Sequence, residues 1–312
     1  MKILVTGCAG FIGCNLAKQL VKNNIKVVGV DNFFPNYDVS LKRKNIAPLL
    51  ESGLLEFIEG DINDPALFEG LSKKSITHIV HLAARTGVRD SSKYAGEYLK
   101  TNIIGSLNVL NFARGNKIKA VVMASTSSVY GKNKTPFNEG QKISTPLSVY
   151  AASKIAMENL AYSFNHLHGI PITVLRFFTV YGPGGRPDMA VYGFAERISK
   201  GERIEVFGDG KAERDFTYVS DAVGGILLAL EKTRGFSVFN IGNSGARSVS
   251  ELIMLLEKSL GKKAKITFSG KRKEDVENTL ADISMARKTL GFSPKVGLEE
   301  GIKLFAEWFK KR

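Results

Sequence analysis

The 312-residue chain has only two cysteines, one tryptophan and four histidines. Cys8 and Cys14 fall within one short segment, which excludes a disulfide framework, and nothing elsewhere completes a metal-ligating set with them. Cys8 faces the start of an expected helix, a place that can lower a thiol pKa; the plainer reading is a small residue in a tight turn. Long apolar runs are also missing. Ile3-Leu4-Val5 is too brief for the core of a signal peptide, and Gly225–Leu230 falls far short of the ~20 residues a spanning helix needs. A soluble, cytoplasmic protein is expected. Acidic residues are scarce, 30 against 44 basic ones, which leaves a formal net charge of +14. Such an excess suits nucleic acid, an acidic membrane surface or a phosphorylated small molecule. No nucleic-acid-binding motif accompanies the densest basic runs, Lys271-Arg272-Lys273 and Lys310-Lys311-Arg312, which read as solvated faces.

What is present is ordinary globular material. Hydrophobic residues make up 44% and charged residues 24% of the chain, which excludes disorder and fibrous folds. Short β-branched runs alternate with longer amphipathic stretches, the mark of βαβ units. Strands are expected at 2–6, 26–30, 54–59, 77–82, 119–124 and 171–177. Helices are expected at 11–23, 64–72, 91–114 and 148–168. Further along, helices are expected near 189–200, 221–231 and 250–260, with a strand near 203–207. The fold class is α/β: a Rossmann-type, doubly wound parallel sheet over residues 1–180, to which the chain returns around 215–243. A smaller mixed α/β lobe occupies 181–312.

The first expected strand runs into Gly7-Cys8-Ala9-Gly10-Phe11-Ile12-Gly13, which opens a helix. Glycines at this spacing permit the tight turn, the approach of a pyrophosphate to the backbone, and close helix–strand packing. The next strand ends at Asp31, where an acid binds adenosine ribose hydroxyls and repels a 2′-phosphate, favouring NAD over NADP. Lys42 and Arg43 nearby weaken that preference. Asp61 and Ile62 after the third strand, and Ala83 and Ala84 after the fourth, fall where ligands of open α/β sheets bind.

Tyr150 and Lys154 form a Y-x-x-x-K pair, four residues apart on one helical face. A neighbouring ammonium and a positive nicotinamide would stabilise the phenolate and bring its pKa down from about 10. The strand end Ser125-Thr126-Ser127-Ser128 adds hydroxyls, with Thr126 placed to bond a substrate oxygen.

Together these residues resemble the extended short-chain dehydrogenase/reductases, and more narrowly the nucleotide-sugar epimerases. The likeness is carried by Gly7–Gly13, His81–Ala84, Ser125–Gly131, Tyr150–Lys154, Arg176–Pro183, Arg186–Ala190 and Arg214–Tyr218. The segments 175–183 and 186–190, with Asp31-Asn32-Phe33 and Leu41-Lys42-Arg43, are especially similar to UDP-glucuronate 4-epimerases. The resemblance implies that Tyr150 takes the proton of the sugar 4-hydroxyl while hydride passes to tightly held NAD, giving a 4-keto intermediate that turns over and is reduced on its other face. It implies roles for Lys154 at the nicotinamide ribose and for Asn32, Leu82, Asn102, Ser125 and Phe177 along the cofactor. Arg186, Met189, Arg214, Arg272 and Asp275 would serve the UDP moiety, although Glu274 replaces a usual glycine and Gly184-Gly185 replace bulkier residues. Ser127 and Ser128 stand where dehydratases and decarboxylases carry acids, and elimination needs such groups, so simple epimerisation is expected. Arg89, Thr126, Ser127, Ser128 and Thr179 are candidates to grip a uronate carboxylate. Neutral UDP-glucose or its N-acetylamino analogue is the alternative substrate, with UDP-glucuronate decarboxylation behind it. A homodimer through 91–114 and 148–168 also follows from the resemblance; a nucleic-acid or membrane partner does not.

Overall fold

The computed structural model describes residues 1–270 and 276–312. Seven strands lie parallel in one sheet: β1 (Lys2–Thr6), β2 (Lys26–Asp31), β3 (Leu55–Glu59), β4 (His78–His81), β5 (Ala120–Thr126), β6 (Ile172–Phe177) and, much later in the chain, β10 (Phe236–Ile241). Their spatial order is β10-β6-β5-β4-β1-β2-β3, so the order reverses beside β1. Ligands of such sheets sit at that reversal, beyond the carboxyl ends of the strands. Every residue of β6 is buried, as expected for a strand covered on both faces.

Helices α1 (Phe11–Lys22) and α8 (Val219–Lys232) cover one face with Leu16, Leu20, Ala222 and Ile226. On the other face lie α3 (Pro65–Ser72), α5 (Ser106–Gly115) and α6 (Val149–His168), with Leu71, Val109, Leu110, Met157 and Phe164 in the core. Local chemistry sets the ends of α6: Ser148 caps its first turn through Ala151 N, and Gly169 closes it at a φ of 66°. A smaller lobe holds β7 (Thr179–Tyr181), β9 (Glu213–Tyr218) and β11 (Ala246–Ser248) in one sheet, and β8 (Arg203–Phe207) with β12 (Lys265–Ser269) in another. Its core gathers Tyr192, Leu252, Leu256, Phe305 and Phe309 from α7 (Ala190–Lys200), α9 (Val249–Leu260) and α11 (Leu298–Lys310).

The single helix expected over 91–114 is replaced by four pieces. A 3-10 turn (Arg89–Ser91) leads to α4 (Ala95–Leu99), a π-helical stretch (Lys100–Gly105) and then α5. The extra residue per turn follows from close packing: a Cβ on Gly105 would meet Ile62 Cδ1 at 2.6 Å, and Asn102 is turned fully inward. Three helices were not foreseen: α2 (Val39–Leu50), whose pattern is obscured by Pro48, α10 (Ser284–Leu290) and α11. Among the described residues no helix is long and apolar enough to cross a membrane.

One buried ion pair ties α6 to the sheet. Arg176 of β6 meets Glu158 with both Nε (3.1 Å) and Nη2 (2.7 Å), and both side chains are 5% exposed. Ser125 Oγ donates to the same carboxylate, while Arg176 Nη1 donates to Tyr130 Oη, which donates to Asn240 Oδ1 of β10. The strand that returns late in the chain is thereby linked to α6. Breaking one side of a buried pair strands the other charge, whereas removing both is far less damaging. Glu158→Leu is expected to cost about 3–5 kcal/mol in urea unfolding, and Arg176→Met added to it should restore most of the loss. A double variant no better than Glu158→Leu would contradict this account.

Candidate active site

The glycine loop is shaped by backbone contacts that leave no room for side chains. Gly7 has a φ of +71°, and a Cβ there would stand 2.8 Å from Ala83 N; one on Gly13 would stand 2.1 Å from Gly7 O, and one on Gly10 3.1 Å from the same oxygen. The result is an open cradle at the start of α1, with the helix's amide groups and positive end facing it. Asp31, at the end of β2, is buried against this loop. Its carboxylate accepts from Ala9 N (3.1 Å) and Phe33 N (2.9 Å), while burial raises its pKa and Lys42 draws it back. An acid so held fits an NAD ribose. Asn32 Nδ2 donates to Asp61 Oδ2 at 3.2 Å, which joins the β2 and β3 strand ends. Phe11, Ile12, Ile62, Leu82, Ala83, Ala84 and Phe177 lie on this side of the sheet, on α1 or at the strand ends. Cys8 and Cys14 are buried, and burial pushes both thiols up, so the helix start does not activate Cys8.

Tyr150 and Lys154 stand on α6 as expected, in a different electrostatic arrangement. Burial raises the Tyr150 pKa; the groups that oppose it are Thr126, through a hydrogen bond, and the Arg186 charge. Lys154 Nζ donates to Ala124 O at 2.9 Å, and burial brings its pKa down to about 8 against the pull of Glu158. Lys154 is not among the groups that lower the Tyr150 pKa, and burial outweighs Thr126 and Arg186 together. Thr126 is the residue of the strand end that reaches Tyr150, and its Oγ1 also accepts from Ser128 N. Ser125, expected along the cofactor, turns its hydroxyl into the core toward Glu158.

A chain of hydrogen bonds unites the cofactor cradle with the catalytic helix. Ser106 Oγ donates to Asn102 O, so the His81 Nε2–H donates to Ser106 Oγ, and His81 Nδ1 accepts from Thr6 Oγ1. Burial holds this imidazole neutral, its pKa down at about 3. Asn102 then accepts from Arg85 N and donates to both Arg85 O and Ser153 Oγ, and Ser153 donates to Tyr150 O. His81 was seen in the sequence only as part of a motif.

Arg186, expected at the UDP moiety, is half-buried in contacts of its own. Its guanidinium is held by Asp188 and by Thr86 Oγ1, and its charge acts on Tyr150 and Tyr37. Tyr37 Oη is buried without a hydrogen-bond partner among the described residues, a residue that no motif in the sequence singles out. Phe11, Thr179, Gly182, Gly185, Arg186 and Met189 line a narrow cleft between the two lobes. The loop with Gly184-Gly185 is constrained rather than loose: a Cβ on Gly185 would stand 2.9 Å from Gly182 O, and Asn15 Nδ2 donates to Pro183 O. Ser127 and Ser128 form the first turn after β5. Arg214 bonds the carbonyls of Glu213 and Glu277 on the lobe side. Arg89 is exposed, its guanidinium 5.3 Å from the Phe207 ring. Arg272 and Asp275 lie outside the described residues.

The parallel sheet, glycine cradle, strand-end acid and Tyr150–Lys154 pair define an extended short-chain dehydrogenase/reductase that uses NAD. A model of the NAD dependent epimerase/dehydratase family matches residues 3–242, and the chain belongs to that family. It is 47% identical over 311 residues to an uncharacterized protein of Methanocaldococcus jannaschii, covering 98% of this chain and 95% of that one. It is 43% identical over 310 residues to a UDP-glucuronate 4-epimerase of Thermodesulfobacterium geofontis, covering 99% and 96%. The solved UDP-glucuronic acid 4-epimerase of Bacillus cereus, in complex with UDP-glucuronic acid and NAD, superposes with a TM-score of 0.95 at 37% identity, covering 100% and 99%.

Gly13→Ala is expected to cost about 1–3 kcal/mol by overpacking and to weaken NAD binding, read by urea unfolding and by NAD titration. Ultraviolet titration of NAD-free protein, with Tyr150→Phe subtracted, should put the Tyr150 ionisation above 10, its ordinary value. NAD should shift it down, because the positive nicotinamide favours the phenolate; an ionisation below 10 before NAD is added would refute the burial argument.

Proposed function

We propose that the protein is an NAD-dependent UDP-sugar 4-epimerase that interconverts UDP-glucuronate and UDP-galacturonate. The observation that carries this reading is the strand end 126–128, where Thr126 reaches Tyr150 and Ser127 and Ser128 follow it in positions where elimination or decarboxylation would call for acids. Bound NAD would supply hydride acceptance and return at the sugar C4. Tyr150 takes the 4-hydroxyl proton and gives it back, with Thr126 holding the same oxygen. Lys154, its Nζ on Ala124 O, is the residue placed to hold the nicotinamide ribose. Gly7, Gly10 and Gly13 admit the pyrophosphate, and Asp31 takes the adenosine ribose.

A 4-keto uronate is a β-keto acid and loses carbon dioxide readily, so its carboxylate must be held away from the geometry that cleaves the C–C bond. Ser127, Ser128 and Thr179 supply donors, and Arg186 supplies positive charge beside Tyr150. Arg214 on β9 and Met189 at the start of α7 serve the nucleotide side, and Arg89 serves the rim. In this reading the smaller lobe binds the UDP-sugar. The protein pairs as a homodimer through α4, α5 and α6, a face where Leu99, Ile104 and Tyr162 are exposed, and it works in the cytoplasm.

Purified protein given UDP-glucuronate is expected to yield UDP-galacturonate by proton NMR, and Tyr150→Phe should abolish turnover while keeping NAD bound. Turnover of UDP-glucose alone would move the assignment to a neutral sugar, and a UDP-pentose product would make it a decarboxylase. Full activity of Tyr150→Phe would end the mechanism.

A further inference from the structure

One side-chain contact spans the cofactor cleft. Phe34 follows β2 and Arg85 follows β4, the two strands that flank β1. A contact between them therefore crosses the end of β1, where the glycine loop begins. The Arg85 guanidinium carbon lies 3.7 Å from the centre of the Phe34 ring, with Tyr98 at 5.5 Å and Tyr94 at 5.9 Å. Both partners are anchored through their backbones. Phe34 N donates to Asn32 Oδ1 and Phe34 O accepts from Lys42 Nζ, while Asn102 bonds both the N–H and the carbonyl of Arg85. Arg85 Nη2 pairs with Glu97 Oε2 at 2.9 Å, but Nη1 is buried with no hydrogen-bond partner among the described residues. An unmatched donor on a buried cation is costly, and a dinucleotide in the cradle below would bring phosphate and ribose oxygens to this end of the sheet.

We propose that Arg85 and Phe34 close over the bound NAD, with Arg85 Nη1 donating to a cofactor oxygen and the guanidinium–ring stack holding the closure. The inference rests on NAD occupying the glycine cradle, and it adds a reason for the cofactor to stay in place. An epimerisation that returns the hydride to its own substrate regenerates NAD in every cycle, so slow release of the cofactor costs such an enzyme nothing. The stack suits the task because a cation over a ring gains strength when water is excluded, as it is once the cofactor fills the space beneath.

The test is a chase: protein loaded with radiolabelled NAD is mixed with excess unlabelled NAD, and loss of label is followed. Arg85→Ala should release NAD about tenfold faster than the wild type, the scale of one good polar contact. Phe34→Ala should do the same, and the double variant should be little faster than either, because the two residues act as one closure. Glu97→Gln removes the ion pair but keeps the stack and Nη1, so it should release NAD at the wild-type rate. Arg85→Ala releasing at the wild-type rate, or Glu97→Gln releasing as fast as Arg85→Ala, overturns the proposal. A wild type that takes up no label overturns the cofactor reading with it, which separates the two failures.

Discussion

The side chain of Asn102 holds the two halves of the active site in register. An asparagine amide has two donors and two acceptor lone pairs, and here three of these capacities reach across the molecule, to both backbone groups of Arg85 and to Ser153. The loop after β4, which borders the cofactor, and the helix that carries Tyr150 are thereby joined through one fully buried residue. The π-helical stretch is the local consequence: an ordinary α-turn would direct Asn102 elsewhere, and π-bulges recur where a functional side chain must be re-aimed. The neutral His81 extends the same network to Thr6, the last residue before the glycine loop, so that displacement of β1 is felt at α6.

Around this frame burial works against charge on both Tyr150 and Lys154. Burial raises Tyr150 and lowers Lys154, and both shifts favour the neutral forms. The full charges lie in matched pairs, Glu158 with Arg176 beneath α6 and Arg186 with Asp188 at the cleft. A phenol so buried is a poor base even with the Arg186 charge acting on it, and an oxidised nicotinamide would add a second positive charge beside it. Proton removal is then coupled to the presence of the group that takes the hydride, a sensible order for a reaction in which the two must leave together.

Much of this was legible in the sequence, though unevenly. The glycine spacing, the acid at the end of β2 and the Y-x-x-x-K pair could be read because each reflects a demand made over a few residues. The six early strands fell within a residue or two of their observed bounds, because buried parallel strands are continuous apolar runs. The amphipathic spacing of α11, with Leu298, Ile302, Phe305 and Phe309 on one face, was present in the sequence but not read. The excess of basic residues found only a partial account: Arg176, Arg186 and Arg85 are engaged within the fold, and most of the surface lysines are simply solvated.

The sequence by itself determined the class of fold, the glycine cradle and the pairing of Tyr150 with Lys154 on one helical face, because turn geometry and helical periodicity are local properties that a few residues specify. Only the tertiary structure decided that Lys154 bonds Ala124 O, that the Arg186 charge acts on Tyr150, and that the stretch 91–114 breaks around Asn102. It alone brought Phe34 to Arg85. These outcomes depend on which strands lie next to one another and on how much water is excluded between them, and both are settled by packing among residues far apart in the chain.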